Sequence, residues 1–367
     1  MKFFFLSSLA HLALDPQANR VSGGAELQVA LLAKELASRG LDVAVAGGNT
    51  GQPDNVTLQG VRTRQAGKFH TGGLVDSLTA LPRVCQLLRE EKPDYVLVLG
   101  WTSWLYILHL LKPFFGFQLI FICGLDTEVN GQFRRDNPVR GWLFEEGMQQ
   151  SDQRFAMTRL QERLFQRAGM SCAMYRNLIL PRASERVAEK VVDFLWVARC
   201  QPIKQPHKFL DLAETLPAAR FEMICPCEDA VLWETVKARA EKLPNVTFRN
   251  GVPYRDVQAH YDAARVFVNT STFEGWPNSF IQAGQGATPI LSLQVRPDTI
   301  FDDYALGACA DGDVPVFHRA AREWFADPAR TAAMGREAAR FVAEMHDNAR
   351  ETDAFLAGLP AVEDKMA

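Results

Sequence analysis

The 367-residue sequence lacks the features that mark several classes of protein. Its formal net charge is only −3, which gives no sign of a nucleic-acid binder. Its seven cysteines include no CxxC pair for zinc, and Cys225 and Cys227 stand too close together for an ordinary disulfide. These absences favour a protein of the reducing cytoplasm.

Two apolar stretches lack the marks of a targeting or transmembrane segment. The opening residues, MKFFFLSSLAHLAL, have one lysine and an apolar run but no A-x-A cleavage site, so a buried first strand over residues 1–8 is favoured over a signal peptide. In the stretch 101–125, Lys112-Pro113 and Gly116 interrupt the apolar residues. This predicts a helix of about ten residues and then a strand, Gln118–Cys123, and leaves a membrane-facing role open.

What the sequence does contain is a repeated order of apolar strands and amphipathic helices. After the loop that ends in Gly23 and Gly24, apolar residues recur at helical spacing as far as Leu36, and a strand follows at Asp42–Ala46. Continuous apolar strands joined by helices predict a parallel, doubly wound α/β sheet. The length suffices for two such domains, and the polar, charged segment 181–190 is the predicted hinge.

The most informative stretch is residues 269–290, NTSTFEGWPNSFIQAGQGATPI. An apolar strand enters a turn that carries one acid, Glu274, and a helix is predicted with Pro277 just inside its start and Asn278 as a candidate cap. Gln282 is expected to face Glu274 from the second helical turn. Free backbone N–H groups at a helix start attract an anion such as a phosphate. A carboxylate beside them can accept hydrogen bonds from hydroxyl groups, so the stretch suits a ligand that is a polyol with a phosphate attached.

A second candidate site follows the predicted strand at 193–198. Arg199 and Lys204 are five positions apart on a tight loop that contains Pro202. Arginine binds an anion through a fork of N–H groups, whereas lysine supplies a mobile point charge, so both can hold one anionic group. The alternative is a solvated basic loop.

Both stretches resemble motifs of a known family. Glu274 and its neighbours are similar to the E-x7-E signature of the retaining GT-B glycosyltransferases of family 4 (glycosyltransferase group 1), whose usual form is EGFPNSFLEA, with Gln282 here in place of the second acid. The loop of Arg199 and Lys204 is similar to the family's GR-x-x-P-x-K loop, which holds the nucleotide diphosphate. The resemblance implies a GT-B fold: two Rossmann-like, doubly wound domains that face each other across a cleft.

The resemblance also implies roles for individual residues. Asp126 is implied to orient a sugar hydroxyl, although it is equally suited to cap the next helix. Cys123 stands where many relatives have a histidine, and residues 226–229 stand where family members usually have a glycine cluster. The implied catalytic set is Glu274, Arg199, Lys204 and Asp126. The implied donor-binding set is Gly23, Gly24, Arg199, Lys204, Gly251, Glu274, Gly275, Trp276, Asn278, Ser279 and Gln282.

The resemblance further implies three segments. Residues 1–180 form an acceptor-side domain, residues 191–340 form the nucleotide-sugar-binding domain, and residues 341–367 form a C-terminal helix that crosses back to the first domain. No metal and no cofactor are expected beyond a donor linked to UDP or GDP. Asp311-Gly312-Asp313 has the form of a DxD metal motif, but it lies in a glycine-rich loop and is interpreted as a turn.

The leading hypothesis is a retaining, metal-independent hexosyltransferase. It moves a sugar from a nucleoside-diphosphate sugar to a glycan or lipid-linked acceptor for cell-surface polysaccharide or glycolipid, in the cytoplasm or at the inner face of the membrane. The basic and aromatic residues 133–142 are candidates for contact with anionic lipid headgroups, or form a solvated surface.

Other functions remain as alternatives. A glycosyltransferase-like subunit that binds a donor or partner with little turnover is favoured by Gln282 and Cys123. A nucleotide-sugar epimerase would need acids for ring chemistry, which the sequence does not locate. A Rossmann dehydrogenase would need G-x-G-x-x-G, and the glycines at 47–51 lack that spacing.

Overall fold

The computed structural model describes residues 1–15, 23–67, 74–181 and 189–361, and every structural statement below concerns these residues. They form two α/β units: Met1–Leu178 with Asn348–Ala367, and Ile179–Asp347. Each unit is organised around its own largely parallel sheet. The prediction of two doubly wound α/β domains is confirmed.

The first unit alternates strands with helices, and a short 3₁₀ turn, Asp126–Glu128, follows its sixth strand. In chain order the elements are β1 (Lys2–Leu6), α1 (Ala10–Leu14), α2 (Gly24–Ser38), β2 (Asp42–Gly47), β3 (Val56–Leu58), β4 (Val61–Gln65), α3 (Leu74–Glu91), β5 (Tyr95–Leu99), α4 (Trp104–Phe115), β6 (Gln118–Ile122), α5 (Gln132–Asp136), α6 (Pro138–Gln149), β7 (Gln153–Ala156), α7 (Arg159–Arg167) and β8 (Ala173–Met174).

The strand order of the first sheet is β3-β4-β2-β1-β5-β6-β7-β8. Only β3 is antiparallel to its neighbour, β4. The central strands are apolar along almost their whole length because helices cover both faces of the sheet. On one face, Phe4 of β1 and Phe121 of β6 pack in one core with Trp104 of α4 and Phe144 of α6.

The second unit has the same plan, with 3₁₀ turns at Pro202–Lys204 and Tyr254–Asp256. Its elements are β9 (Val192–Val197), α8 (Pro206–Thr215), β10 (Phe221–Ile224), α9 (Ala230–Ala240), β11 (Val246–Arg249), α10 (Val257–Ala263), β12 (Ala264–Asn269), α11 (Asn278–Gln285), β13 (Ile290–Ser292), α12 (Ile300–Asp303), β14 (Gly307–Cys309), α13 (Val314–Ala326) and α14 (Pro328–Met345). A last helix, α15 (Asn348–Ala357), belongs to the first unit.

The second sheet has the strand order β11-β10-β9-β12-β13-β14. Its registered pairs are all parallel. Successive side chains of a strand point to opposite faces, and in β9 Phe194 and Trp196 enter one core while Leu195 enters the other. The alternation explains why the strand is apolar at every central position.

The chain returns to the first unit through α15. Phe355 is fully buried, and its ring lies 4.8 Å from that of Phe155 and 5.6 Å from that of Tyr175, centroid to centroid. The Tyr95 hydroxyl donates to the Pro360 carbonyl at 2.7 Å. Residues 341–347, which the sequence analysis grouped with the closing helix, lie in the second unit, and most of the predicted hinge (182–188) lies outside the described residues.

The apolar stretches fold as predicted. The opening residues form the buried strand β1, and the region 101–125 forms helix α4 and then strand β6. Gly116 ends α4 in the left-handed conformation, at φ +66°. Among the described residues, no helix is both long and apolar enough to cross a membrane.

Candidate functional site

The second sheet has a topological switch point between β9 and β12. The chain proceeds from β9 outward through β10 and β11 on one side, and from β12 through β13 and β14 on the other. Ligands of open parallel sheets bind at such a point, beyond the carboxyl ends of the strands. Arg199 and Lys204 follow β9, and Glu274 follows β12, so the topology brings both predicted motifs to one edge of the sheet.

Lys204 and Glu274 form an ion pair at this edge. The Lys204 Nζ lies 2.6 Å from the Glu274 Oε1, and the two side chains are 17% and 18% exposed. The Ser271 hydroxyl donates to the same carboxylate oxygen at 2.7 Å. Glu274 is therefore held by two donors, and the two motifs meet directly.

Backbone and hydroxyl contacts join the two loops behind the ion pair. The Thr272 amide donates to the Ile203 carbonyl at 2.9 Å, and the Thr270 hydroxyl donates to the Lys204 carbonyl at 2.7 Å. The Trp196 indole N–H donates to the same Thr270 hydroxyl at 2.9 Å, inside the core. Lys204 is thus fixed through its main chain, while its ammonium group remains at the surface of the edge.

Arg199 has a different partner. Its guanidinium Nη1 lies 2.8 Å from the Glu228 Oε2, with 44% and 38% of the two side chains exposed, and Gln201 also donates to Glu228. Glu228 lies after β10, where the family resemblance leads one to expect glycines. This chain therefore places an acid next to its predicted phosphate-binding arginine.

Gln282 lies on the second turn of α11, as predicted, and its side-chain amide contacts Tyr254. Its Nε2 donates to the Tyr254 hydroxyl at 3.2 Å, and Gln282 is 8% exposed. Burial raises the pKa of Tyr254, so the phenol is neutral and can accept this bond. The predicted cap was wrong, because Pro277 occupies the N-cap position and the helix begins at Asn278.

The remaining donor-binding candidates of this unit lie along the same edge. Gly275 is in the loop, and Asn278 and Ser279 open α11. The Trp276 ring packs on Phe341, with ring centroids 6.2 Å apart, and on His346, at 5.3 Å. Gly251 follows β11 at φ +80°, and a Cβ there would lie 3.2 Å from Pro226, which explains the glycine.

Three candidates lie in the first unit. Gly23 caps α2 and Gly24 is its first residue, although residues 16–22 of the preceding loop lie outside the described part. Asp126 opens the 3₁₀ turn after β6, where the cap position is taken by Leu125. The alternative that Asp126 caps this helix was therefore wrong.

The sequence analysis missed a buried acid in this turn, Glu128, which is 3% exposed. It accepts hydrogen bonds from the backbone amides of Trp101, at 2.9 Å, and Gly124, at 2.8 Å. Burial raises the pKa of Glu128 to about 7. Neither spacing nor a motif singles out this acid, because its partners are main-chain groups.

Asp311 and Asp313 both have structural partners. Asp311 forms an ion pair with Arg296, at 3.1 Å, and has a left-handed backbone, at φ +51°. Asp313 caps α13 by accepting from the Val316 amide at 2.9 Å. The interpretation of this segment as a turn is confirmed.

Comparison with known families agrees with this geometry. Residues 23–176 match the model of the glycosyl transferase 4-like domain, and residues 192–327 match that of the glycosyl transferases group 1. With two Rossmann-like units, this defines a GT-B protein. The chain belongs to the group 1 glycosyltransferases. Among curated proteins, none matches the sequence significantly.

Solved structures share the fold over nearly the full chain. Sucrose-phosphate synthase from Thermosynechococcus elongatus has a TM-score of 0.81 at 17% identity, covering 97% of this chain and 98% of that one. HepE from Anabaena, in complex with UDP and glucose, has a TM-score of 0.73 at 16% identity, covering 98% and 100%. An α,α-trehalose-phosphate synthase (UDP-forming) from Burkholderia vietnamiensis has a TM-score of 0.72 at 14% identity, covering 97% and 99%.

Proposed function

We propose that this glycosyltransferase moves a hexose from a nucleoside-diphosphate sugar to a glycan or lipid-linked acceptor, with retention of configuration and without a metal. The observation that carries the proposal is the contact between Lys204 and Glu274 at the switch point of the second sheet. This contact supports the roles that the family resemblance implies, with Lys204 as a cation for the phosphates and Glu274 as an acid for the sugar hydroxyls.

The reaction separates a sugar from a diphosphate, on which negative charge grows as the bond breaks. Donors aimed in advance at those oxygens stabilise the transition state. Lys204, Arg199 and the first backbone amides of α11 would supply them, which makes a divalent ion unnecessary. Lys204 has three N–H donors, so it can keep its bond to Glu274 and still bind a phosphate oxygen.

Glu274 would accept hydrogen bonds from the hexose and set its orientation, because positional accuracy contributes directly to rate. Gln282 would face the ribose. Its amide lacks the charge of the family's second acid, and charged hydrogen bonds exceed neutral ones by about 1 kcal/mol. Asp126 and the helix start at Gly23 and Gly24 would serve the acceptor side and the donor phosphates.

The donor is proposed to carry UDP or GDP, and HepE, which has the same fold, was solved with UDP and glucose. We place the protein in the cytoplasm, peripheral on the inner face of the membrane. In the first unit, the exposed apolar side chains Phe114 (81%) and Trp142 (44%) lie on two helices that contact each other, which suits a surface that meets lipid.

Nucleotide binding is the first test. UDP, GDP, UDP-glucose and GDP-mannose are added to the purified chain, and the melting temperature is measured. A ligand at a hundred times its Kd adds about 2.7 kcal/mol of stability. Lys204→Ala should abolish most of the shift, whereas the control Lys208→Ala, at a side chain of α8 that is 40% exposed, should keep it. No shift with any of the four would contradict the proposal.

Donor turnover distinguishes the enzyme from a binding subunit with little turnover. Release of UDP or GDP from the bound sugar nucleotide is followed with and without acceptors. We expect release that Glu274→Ala abolishes. Nucleotide binding without any release, equal in both variants, would favour the binding subunit.

A further inference from the structure

We propose that Glu128 is a positioning residue for the acceptor side of the reaction, a role that rests on the proposed glycosyl transfer. Its carboxylate joins the segment after β5 to the segment after β6 and so fixes the backbone that carries Asp126. Because Glu128 is buried, the proposed role is to position other groups.

The contacts of Glu128 cross between two loops. One oxygen accepts from the Trp101 amide, at 2.9 Å, and the other accepts from the Gly124 amide, at 2.8 Å. Each donor follows a different strand, β5 or β6, and these strands are neighbours in the sheet. A carboxylate can do this because both of its oxygens accept, whereas an amide side chain offers one acceptor only.

Two glycines lie next to the carboxylate. Gly100 has φ +75°, and a Cβ at this position would lie 3.4 Å from the Glu128 Oε1. A Cβ at Gly124 would lie 3.3 Å from the Gly100 Cα and 3.5 Å from the same oxygen. The two loops therefore lie close to the carboxylate and to each other, and the tightest of these distances is the one between the two glycines.

The joined segments lie where ligands of such sheets bind. In the first sheet the direction of winding reverses between β1 and β5, so the carboxyl end of β5 is at a switch point. Gly124 and Leu125 lead from β6 to the half-buried Asp126, two residues before Glu128. The bond from the Gly124 amide to Glu128 therefore holds the backbone that leads into Asp126.

Burying an acid is costly, and main-chain amides hold this one. Burial raises the pKa of Glu128 to about 7, and its amide bonds oppose that rise. The neighbouring Cys123 thiol donates to the Leu125 carbonyl at 3.3 Å, and burial raises the pKa of Cys123 well above its usual range. A carboxylate at a solvated position would avoid the free-energy cost of burial, so stability alone does not account for Glu128. This favours a role in positioning the two loops.

Hydrogen exchange tests the contact without any substrate. In Glu128→Gln, one amide must lose its acceptor, so exchange at Trp101 or Gly124 should accelerate at least tenfold at pH 8. The control Glu90→Gln replaces an acid of α3 whose side chain is 40% exposed and should leave both amides unchanged. Equal protection of both amides in wild type and Glu128→Gln would overturn the proposal.

Kinetics test the role. Transfer from UDP-glucose is measured with a panel of free monosaccharides, sugar phosphates and polyprenyl-linked sugars, using whichever the wild type glycosylates. Glu128→Gln should raise the acceptor KM at least tenfold and leave the UDP-glucose KM within twofold. An equal change in both KM values, or none, would overturn the positional role. If no panel member is glycosylated, the proposed function fails, while hydrogen exchange still decides on Glu128.

Discussion

The two sheet edges that carry candidate residues are built differently. In the second unit, the charged side chains pair with each other across loops: Lys204 with Glu274, and Arg199 with Glu228. In the first unit, the acid Glu128 accepts from two main-chain amides. Paired ions at a surface can exchange partners when an anion arrives, whereas a buried carboxylate among amides holds one arrangement. We therefore call the edge with Lys204 and Glu274 the donor edge and expect it to be adaptable. We call the edge with Glu128 the acceptor edge and expect it to be fixed.

The largest effect should come from a substitution that destabilises the first unit and leaves the second unit unchanged. Phe355→Ala removes a fully buried ring from the first unit, which typically costs about 3–5 kcal/mol. We expect hydrogen exchange to accelerate in β7 and β8, while UDP or GDP binding by the second unit persists. The control Phe114→Ala, at an 81% exposed position, should change neither. Loss of nucleotide binding in Phe355→Ala would show that the two edges are not independent.

The next effect concerns the donor edge. Glu274→Ala should lower kcat for donor turnover by about 100- to 1000-fold, the loss usual for one preorganised transition-state contact. Nucleotide binding should change much less, because Lys204 and Arg199 remain. Steady-state kinetics and thermal shifts measure the two separately, with Glu241→Ala, an exposed acid, as the control. A loss below threefold would remove Glu274 from the mechanism.

A pH dependence should mark the acceptor edge. The pKa of Glu128 rises from an ordinary value near 4.5 to about 7 in the folded chain, so the folded state binds its proton more tightly. Its contribution to stability is complete below about pH 4.5 and is lost as the pH rises through 7, by about 3 kcal/mol in total.

The measurement is urea unfolding at pH 4.5, 6 and 8, as the difference between wild type and Glu128→Gln. That difference should fall steadily with pH. Glu90→Gln should give the opposite direction, because the bond to Arg64 lowers the pKa of Glu90. A difference independent of pH would mean that Glu128 is not desolvated as the structure indicates.

The smallest effect should sharpen the contrast at the donor edge. Glu228→Gln releases Arg199 from a half-exposed ion pair, which is worth at most about 1 kcal/mol. The Kd for UDP or GDP, measured by calorimetry, should therefore fall about two- to fivefold. Glu234→Gln, an exposed acid on α9, is the matched control. Unchanged or weaker binding would mean that Glu228 does not compete with the phosphates.

The sequence predicted the donor edge well, because its residues follow apolar strands whose carboxyl ends must meet in a parallel sheet. Lys204 and Glu274 are 70 positions apart, yet each is next to a recognisable strand. The position of a residue after a strand did not predict the partners that lie outside the two motifs. Tyr254 meets Gln282 through tertiary packing, and Glu228 reaches Arg199 from a loop that departs from the family pattern.

Local rules failed where main-chain geometry decides. A proline and an asparagine near a helix start suggested a cap, but the chain enters α11 with Pro277 extended, at ψ 118°. Glu128 was missed because its donors are backbone amides, which nearly every residue has, so no side chain in the sequence indicates the contact. The sequence thus locates charged partners that share an edge more readily than an acid that the backbone encloses.

The return of α15 makes the second unit a continuous insertion within a first unit that is split in sequence. During synthesis, β1 to β8 emerge well before the helix that supplies Phe355 and before Pro360, the acceptor of the Tyr95 hydroxyl. The inserted unit can complete its fold on the ribosome first, although it begins later. A chain truncated after residue 347 would lack α15, which belongs to the first unit, so such a truncation would destabilise the unit that carries the acceptor edge.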